Sequence, residues 1–207
     1  RTEDSDDSDA DEAPQEQAGA PPDTVTVLVG TWNLGGRACP AIDLTEFLPV
    51  DAFDMYVIGT QECEGTPGLS MSSARPRWEA KMQATLGPGY VVVGKHGLGT
   101  THLACYVRSC LRERVTDVRV GHVITGLGRI VTNKGGVGLS LRFGCTSLAF
   151  VTAHFAAHPE KIKERNADFH RINAGLAPLL CPPSGDKGRN GAGGGGGGAG
   201  GGGEGGG

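Results

Sequence analysis

Apolar and polar positions along the chain fall into short runs, and most of the runs read as strands. The run "TVTVLVGTW" (24–32) is β-branched and apolar and predicts a buried strand, as does "DMYVIGTQ" (54–61). Further strands are predicted at "YVVVGKH" (90–96), "HLACYVR" (102–108) and "VTDVRVGHVI" (115–124). In "VGLSLRF" (137–143), Leu139, Leu141 and Phe143 alternate with Ser140 and Arg142, and "TSLAFVTAHF" (146–155) is apolar on both faces. Three stretches predict helices. At 43–48, Asp43 with Glu46 three residues on has a capping-box pattern, and Pro49 stops the run. At 76–86, Pro76 starts a helix that "GPG" (87–89) ends. At 159–176, Ile162, Phe169, Ile172 and Leu176 form one apolar stripe. Many strands with few helices between them predict a mixed α/β sandwich rather than a doubly wound parallel sheet.

Composition changes the picture at the two ends. Residues 1–23 hold nine acidic side chains and one basic one, and residues 191–207 are glycine except for Ala192, Ala199 and Glu204. Neither end can bury enough apolar surface to offset its ordering entropy, so both are expected to be disordered. The 207 residues therefore divide into an acidic segment (1–23), one domain (24–180) and a Gly-rich low-complexity tail (181–207). The net charge of −4 is set by the acidic head; the rest of the chain is mildly basic, which suits an anionic ligand. Six cysteines at 39, 63, 105, 110, 145 and 181 show no C-x-x-C pair and no zinc pattern, which points to a reducing, cytoplasmic setting. No apolar run approaches the length of a membrane span.

The stretch "TNKGGVGLSLRF" (132–143) looks at first like a nucleotide phosphate loop. It fails that reading twice: the second lysine of a Walker loop is absent, and a strand pattern follows Gly138 where a helix is required. The bare pattern instead predicts a hairpin turn at Gly135 and Gly136, with Lys134 in solvent. A stronger signal comes from three strand ends. The strand at 24–32 runs into Asn33, that at 54–61 into Glu62, and that at 146–155 carries His154, with His158 four residues later. A carboxylate and an amide oxygen are hard ligands suited to Mg²⁺, and an imidazole can hydrogen-bond a phosphoryl oxygen. Each also has a plain structural reading: a turn residue, a solvated loop acid and a satisfied strand-end histidine.

Five motifs, "VGTWNLGG", "DMYVIGTQE", "TNKGGVGLSLRF", "TSLAFVTAHFAAH" and "KERNADF", occur here in one order. Together they resemble the inositol polyphosphate 5-phosphatases of the endonuclease/exonuclease/phosphatase superfamily, over about residues 24–176. The resemblance implies a four-layer α/β sandwich with two mixed β-sheets face to face and helices outside. It implies a Mg²⁺-dependent phosphomonoester hydrolase that removes the 5-phosphate of inositol polyphosphates or phosphoinositides. It makes Asn33 and Glu62 the metal-site residues and His154 the contact to the scissile phosphate. It makes Asn133 and Lys134 the substrate-phosphate contacts, with the glycines letting backbone approach the substrate. His158, Arg165 and Asn166 become supporting structure. The partner implied is an inositol phosphate or phosphoinositide headgroup, with peripheral membrane contact and no nucleic acid.

The chain departs from the family pattern after about residue 176. The family motifs G-D-x-N-Y/F-R, P-x-W-x-D-R and S-D-H-x-P are absent, and Asp186 and Asn190 in "SGDKGRNG" have the wrong spacing. The fold is therefore expected to be incomplete at its C-terminal side and this chain inactive alone. Two other readings stand beside that one. The chain could be a non-catalytic phosphoinositide-binding module, or a nuclease or sphingomyelinase-type phosphodiesterase on the same fold.

Overall fold

The computed structural model describes residues 24–36, 42–63, 74–126 and 134–181. The two expected disordered ends, Asn133, Cys39, Asp186 and Asn190 lie outside the described residues. In chain order the strands are β1 (Val27–Asn33), β2 (Met55–Gln61), β3 (Tyr90–Leu98), β4 (Thr101–Arg108), β5 (Val115–Ile124), β6 (Gly135–Phe143) and β7 (Thr146–His154). Two α-helices, α1 (Ala74–Leu86) and α2 (Ile162–Leu180), and a 3₁₀ turn at Ser109–Arg114 complete the elements among the described residues.

One sheet has the order β1-β2-β4-β3 and the other β5-β6-β7. Only β1 and β2 are parallel; the remaining pairs are antiparallel, so the first sheet is mixed and the second antiparallel. The strand period of two sends alternate side chains to opposite faces and so builds separate cores. Met55 and Val57 of β2 with Leu103, Cys105 and Val107 of β4 meet Val137, Leu139, Leu141 and Phe143 of β6 between the sheets. On the outer face of the first sheet, Tyr56, Ile58, Ala104 and Tyr106 pack against Trp78, Met82 and Leu86 of α1. Helix α2 covers the outer face of the second sheet. The layers thus run α1, sheet, sheet, α2. An ion pair helps to fix α1: Glu79 binds both Lys95 and the buried imidazole of His102, 2.9 Å from its carboxylate. Hydrogen bonding from His102, with Lys95 alongside, holds the Glu79 carboxyl at about 2 despite its partial burial. No disulfide joins the described cysteines, and no described helix is long and apolar enough to cross a membrane.

Three sequence expectations are corrected. The helix at 43–48 is only a turn: Asp43 accepts from the Thr45 N–H at 3.0 Å, and Leu48 N–H reaches Leu44 O at 2.6 Å. Six residues are too few to repay nucleation, and the buried Leu44 and Leu48 fix the segment as a plug on the first sheet instead. The apolar stripe of α2 is also displaced. Ile162 and Phe169 are exposed at 58% and 56%, whereas Asp168, Ile172, Leu176 and Leu180 are buried. Those four follow a strict i, i+4 spacing, and Phe169 lies one residue, or 100°, off it.

The third correction concerns the glycines of "KGGVG". Gly135 and Gly136 form no turn; both lie within β6, paired with Ile124 and Val123 of β5 and with His154 and Ala153 of β7. The space a side chain would need there is already filled by protein. A Cβ on Gly136 would lie 2.5 Å from Ile172 Cγ2, and one on Gly138 would lie 2.6 Å from Leu180 Cδ1. These two glycines form the seat of α2. Gly135, at φ +153°, has a backbone that only glycine adopts readily, and a Cβ there would stand 2.1 Å from Val123 O.

Candidate active site

The parallel pairing of β1 and β2 sets Asn33 opposite Gln61, so the two chains end together. Strand β7 lies across from β2 in the facing sheet, and its last residue, His154, arrives at the same end. Antiparallel pairing puts Gly135 beside His154, which brings Lys134 to the rim. Of the five expected site residues, Asn133 lies outside the described residues, and the structure brings the other four together.

Asn33 Nδ2 donates to Glu62 Oε1 at 3.1 Å. The Gly35 N–H donates to Asn33 Oδ1 at 2.9 Å, and because an N–H can only donate, it fixes which side of the amide faces Glu62. His154 Nε2 lies 3.4 Å from Glu62 Oε1 and 2.6 Å from Lys134 Nζ. The four side chains form a continuous chain of polar contacts: amide, carboxylate, imidazole, ammonium.

The backbone at Glu62 is held in the left-handed region, φ +53°, at a cost of about 1 kcal/mol for a residue with a Cβ. Its surroundings enforce this. Leu34 N–H binds Gln61 O at 2.9 Å, Gly36 N–H binds Glu62 O at 3.1 Å, and Cys63 N–H binds Thr100 O at 2.9 Å. The carboxylate is left partly open to solvent, with 38% of its side chain exposed, while His154 is sunk to 11%.

Lys134 is half-buried rather than in solvent. Burial draws its pKa down from 10.5, opposed by the carboxylates of Glu62 and Asp168. Asp168 was missed in the sequence. It is a buried acid, 9% exposed, on the face of α2 that carries Ile172 and Leu176. A lone carboxylate in the i, i+4 register of an apolar stripe is the signal that could have found it. Arg165 fulfils the supporting role expected of it: its guanidinium donates to His158 O at 2.5 Å and Pro159 O at 3.0 Å, folding the segment that follows His154. His158 itself is exposed and takes a positive φ of 75°.

Among the described residues no three His, Cys, Asp or Glu side chains cluster as a metal site. What the site offers an ion is hard oxygen: the Glu62 carboxylate and the remaining lone pair of Asn33 Oδ1. That donor set fits Mg²⁺, which takes one or two protein ligands and keeps water or phosphate for the rest.

Comparison with known proteins shows the family. The family model for Endonuclease/Exonuclease/phosphatase family 2 matches residues 30–191. The phosphatidylinositol polyphosphate 5-phosphatase type IV of Rattus norvegicus is 34% identical over 162 residues, 76% of this chain and 24% of that protein. Type II inositol polyphosphate 5-phosphatase 15 of Arabidopsis thaliana is 35% identical over 166 residues, 72% of this chain and 15% of that protein. Among solved structures, the inositol polyphosphate 5-phosphatase domain of a synaptojanin superposes with a TM-score of 0.64 at 29% identity. That domain was solved with inositol (1,4)-bisphosphate and calcium ion, and the match covers 73% of this chain and 46% of that one. The chain spans less than half the length of each of these proteins. With its motifs ordered on a two-sheet sandwich and its strand ends gathered at one rim, the chain belongs to the endonuclease/exonuclease/phosphatase family 2, and within it resembles the inositol polyphosphate 5-phosphatases.

Proposed function

We propose that this chain forms the metal- and phosphate-holding part of a Mg²⁺-dependent phosphomonoester hydrolase that removes the 5-phosphate from inositol polyphosphates or phosphoinositides. The observation that carries the reading is the meeting of Asn33, Glu62, His154 and Lys134 at one rim. Glu62, oriented by Asn33, would hold the ion. A bound Mg²⁺ would neutralise charge on the phosphoryl group. Lys134 offers a compact positive charge to phosphate oxygens, and His154, between Lys134 and Glu62, stands where it can hydrogen-bond the transferring group.

Hydrolysis needs one more part: a group that holds the attacking water in line with the leaving oxygen. Among the described residues no three His, Cys, Asp or Glu side chains gather around Glu62, and the family motifs expected beyond residue 176 are absent from the 207 residues. Groups that act as one catalytic unit are strongly non-additive, so binding is retained here while turnover is not.

The test is titration of the chain with inositol 1,4,5-trisphosphate in Mg²⁺, followed by a phosphate-release assay. Glu62→Ala and Lys134→Ala should each weaken binding by about tenfold, the worth of one charge-assisted contact. Unchanged binding in both variants would overturn the reading. No phosphate should be released; release that Glu62→Ala abolishes would show a complete site in this chain. Tighter binding of single-stranded DNA than of the inositol phosphate would favour a nuclease.

A further inference from the structure

Gln61 is 8% exposed and lies between the two sheets. Its Nε2 donates to Thr31 Oγ1 at 3.1 Å and to Thr152 Oγ1 at 2.8 Å. A glutamine amide has two N–H donors, and both are used, one toward β1 and one toward β7. The positions of these residues matter. Thr31 stands two residues before Asn33 on β1, Thr152 two before His154 on β7, and Gln61 directly precedes Glu62 on β2. Because a strand repeats every two residues, Thr31 shares a face with Asn33 and Thr152 shares one with His154. A single side chain is therefore bonded to all three strands that carry the metal- and phosphate-site residues, one step beneath them.

The neighbouring backbone is shaped for this contact. Gly59 projects to the same face as Gln61, and a Cβ on it would lie 2.5 Å from Thr152 Oγ1 and 2.7 Å from Thr152 Cβ. The missing side chain lets β7 approach β2 until the threonine hydroxyl reaches the amide. An apolar residue at 61 could fill the same space, but apolar contact is non-directional and tolerates sliding of one sheet over the other. A hydrogen bond is directional and weakens steeply once its angle falls below about 120°, so two bonds from one planar amide restrict the relative positions of three strands.

We infer that Gln61 is a positioning residue of the site: its two hydrogen bonds set the strand-end register in which Asn33, Glu62 and His154 converge. The inference rests on the site reading given above, and its test separates the two. The nitrogen-15-labelled chain is followed by NMR at the Asn33 side-chain amide and the His154 ring nitrogens. Thr152→Val, nearly the same shape without the hydroxyl, should shift and broaden the His154 signals while leaving Asn33 in place. Thr31→Val should do the reverse, and Gln61→Leu should disturb both. Thr152→Ser, which keeps the hydroxyl, should restore His154. Signals unmoved in both valine variants would overturn the inference, as would equal disturbance of Asn33 and His154 in either one. If Gln61→Leu does not fold, the two threonine positions still decide. Paramagnetic broadening by Mn²⁺ reports on the metal reading alone: wild-type chain without broadening near Glu62 would sink that reading, while the side-chain signals still judge Gln61.

Discussion

Gly136 and Ile172 are in direct apposition, with the glycine of β6 leaving room for a side chain that a Cβ would meet at 2.5 Å. Helix α2 therefore rests on the backbone of β6, and Asp168 comes with it toward Lys134. Gly136→Ala should destabilise the domain by about 1–3 kcal/mol, the usual cost of overpacking. In urea unfolding, Gly136→Ala combined with Ile172→Ala should cost less than the two single changes added together. Strict additivity would mean that the helix does not rest there.

The Asn33–Glu62 contact makes a second prediction. Asn33→Asp keeps the acceptor for the Gly35 N–H but replaces the donor to Glu62 with a second carboxylate. Without divalent ion, the variant should be less stable by about 1 kcal/mol through like-charge repulsion. Adding Mn²⁺ should raise its melting temperature more than that of the wild type, because an ion that binds only the folded state stabilises it by mass action. Thermal melts with and without Mn²⁺ measure this. An equal shift in both proteins would remove Asn33 from the metal site.

How much of this was legible in the sequence follows from the type of signal. Short apolar and β-branched runs predicted the seven described strands, with the two-residue period printed directly in "VGLSLRF". The convergence of Asn33, Glu62 and His154 was legible as three polar residues ending apolar strands. The role of Gly136 and Gly138 was not, because a glycine shows no partner in sequence; only the structure shows Ile172 and Leu180 above them. Phe169 was misplaced for a related reason. Apolar character alone cannot separate two stripes that differ by one residue, and the buried one begins with an acid, Asp168.

A pH dependence is built in where β3 meets β5. His96 Nε2 lies 2.9 Å from His122 Nδ1, their rings stacked at 23°. Burial, then the positive charges of His122, Arg75 and His102, hold the His96 pKa below 6.5. A histidine depressed in the folded state stabilises fully above its unfolded pKa and loses that contribution as pH falls. Stability should therefore decline as pH drops below 6.5, and His96→Ala should flatten that decline by up to one proton's worth of slope. Urea midpoints measured from pH 7.5 to pH 5 test the sign.

Lys134 distinguishes charge from geometry. Lys134→Arg keeps the charge but places a planar fork where a compact ammonium sits 2.6 Å from the imidazole. It should recover only part of the phosphate affinity lost in Lys134→Met, by isothermal titration with inositol 1,4,5-trisphosphate. Full recovery would reduce the lysine to a source of long-range field.

Among the described residues the two sheets are unequal, four strands against three. A groove of about 430 Å³ separates β1 from β7, lined in part by Val29, Thr31, Val57, Phe150 and Val151, and leaves Val29 65% exposed. Among the described residues strand β1, like β3 at the other edge, is hydrogen-bonded on one side only, so its amides are more open to exchange with solvent deuterium than those of β2 and β4. Protection should climb from β1 through β2 to β4, which are flanked on both sides. The Asn33 arm of the site then belongs to an edge strand of the first sheet, more readily opened than the Glu62 arm beside it. Anything that binds at the rim should slow the opening of that strand before it affects any other.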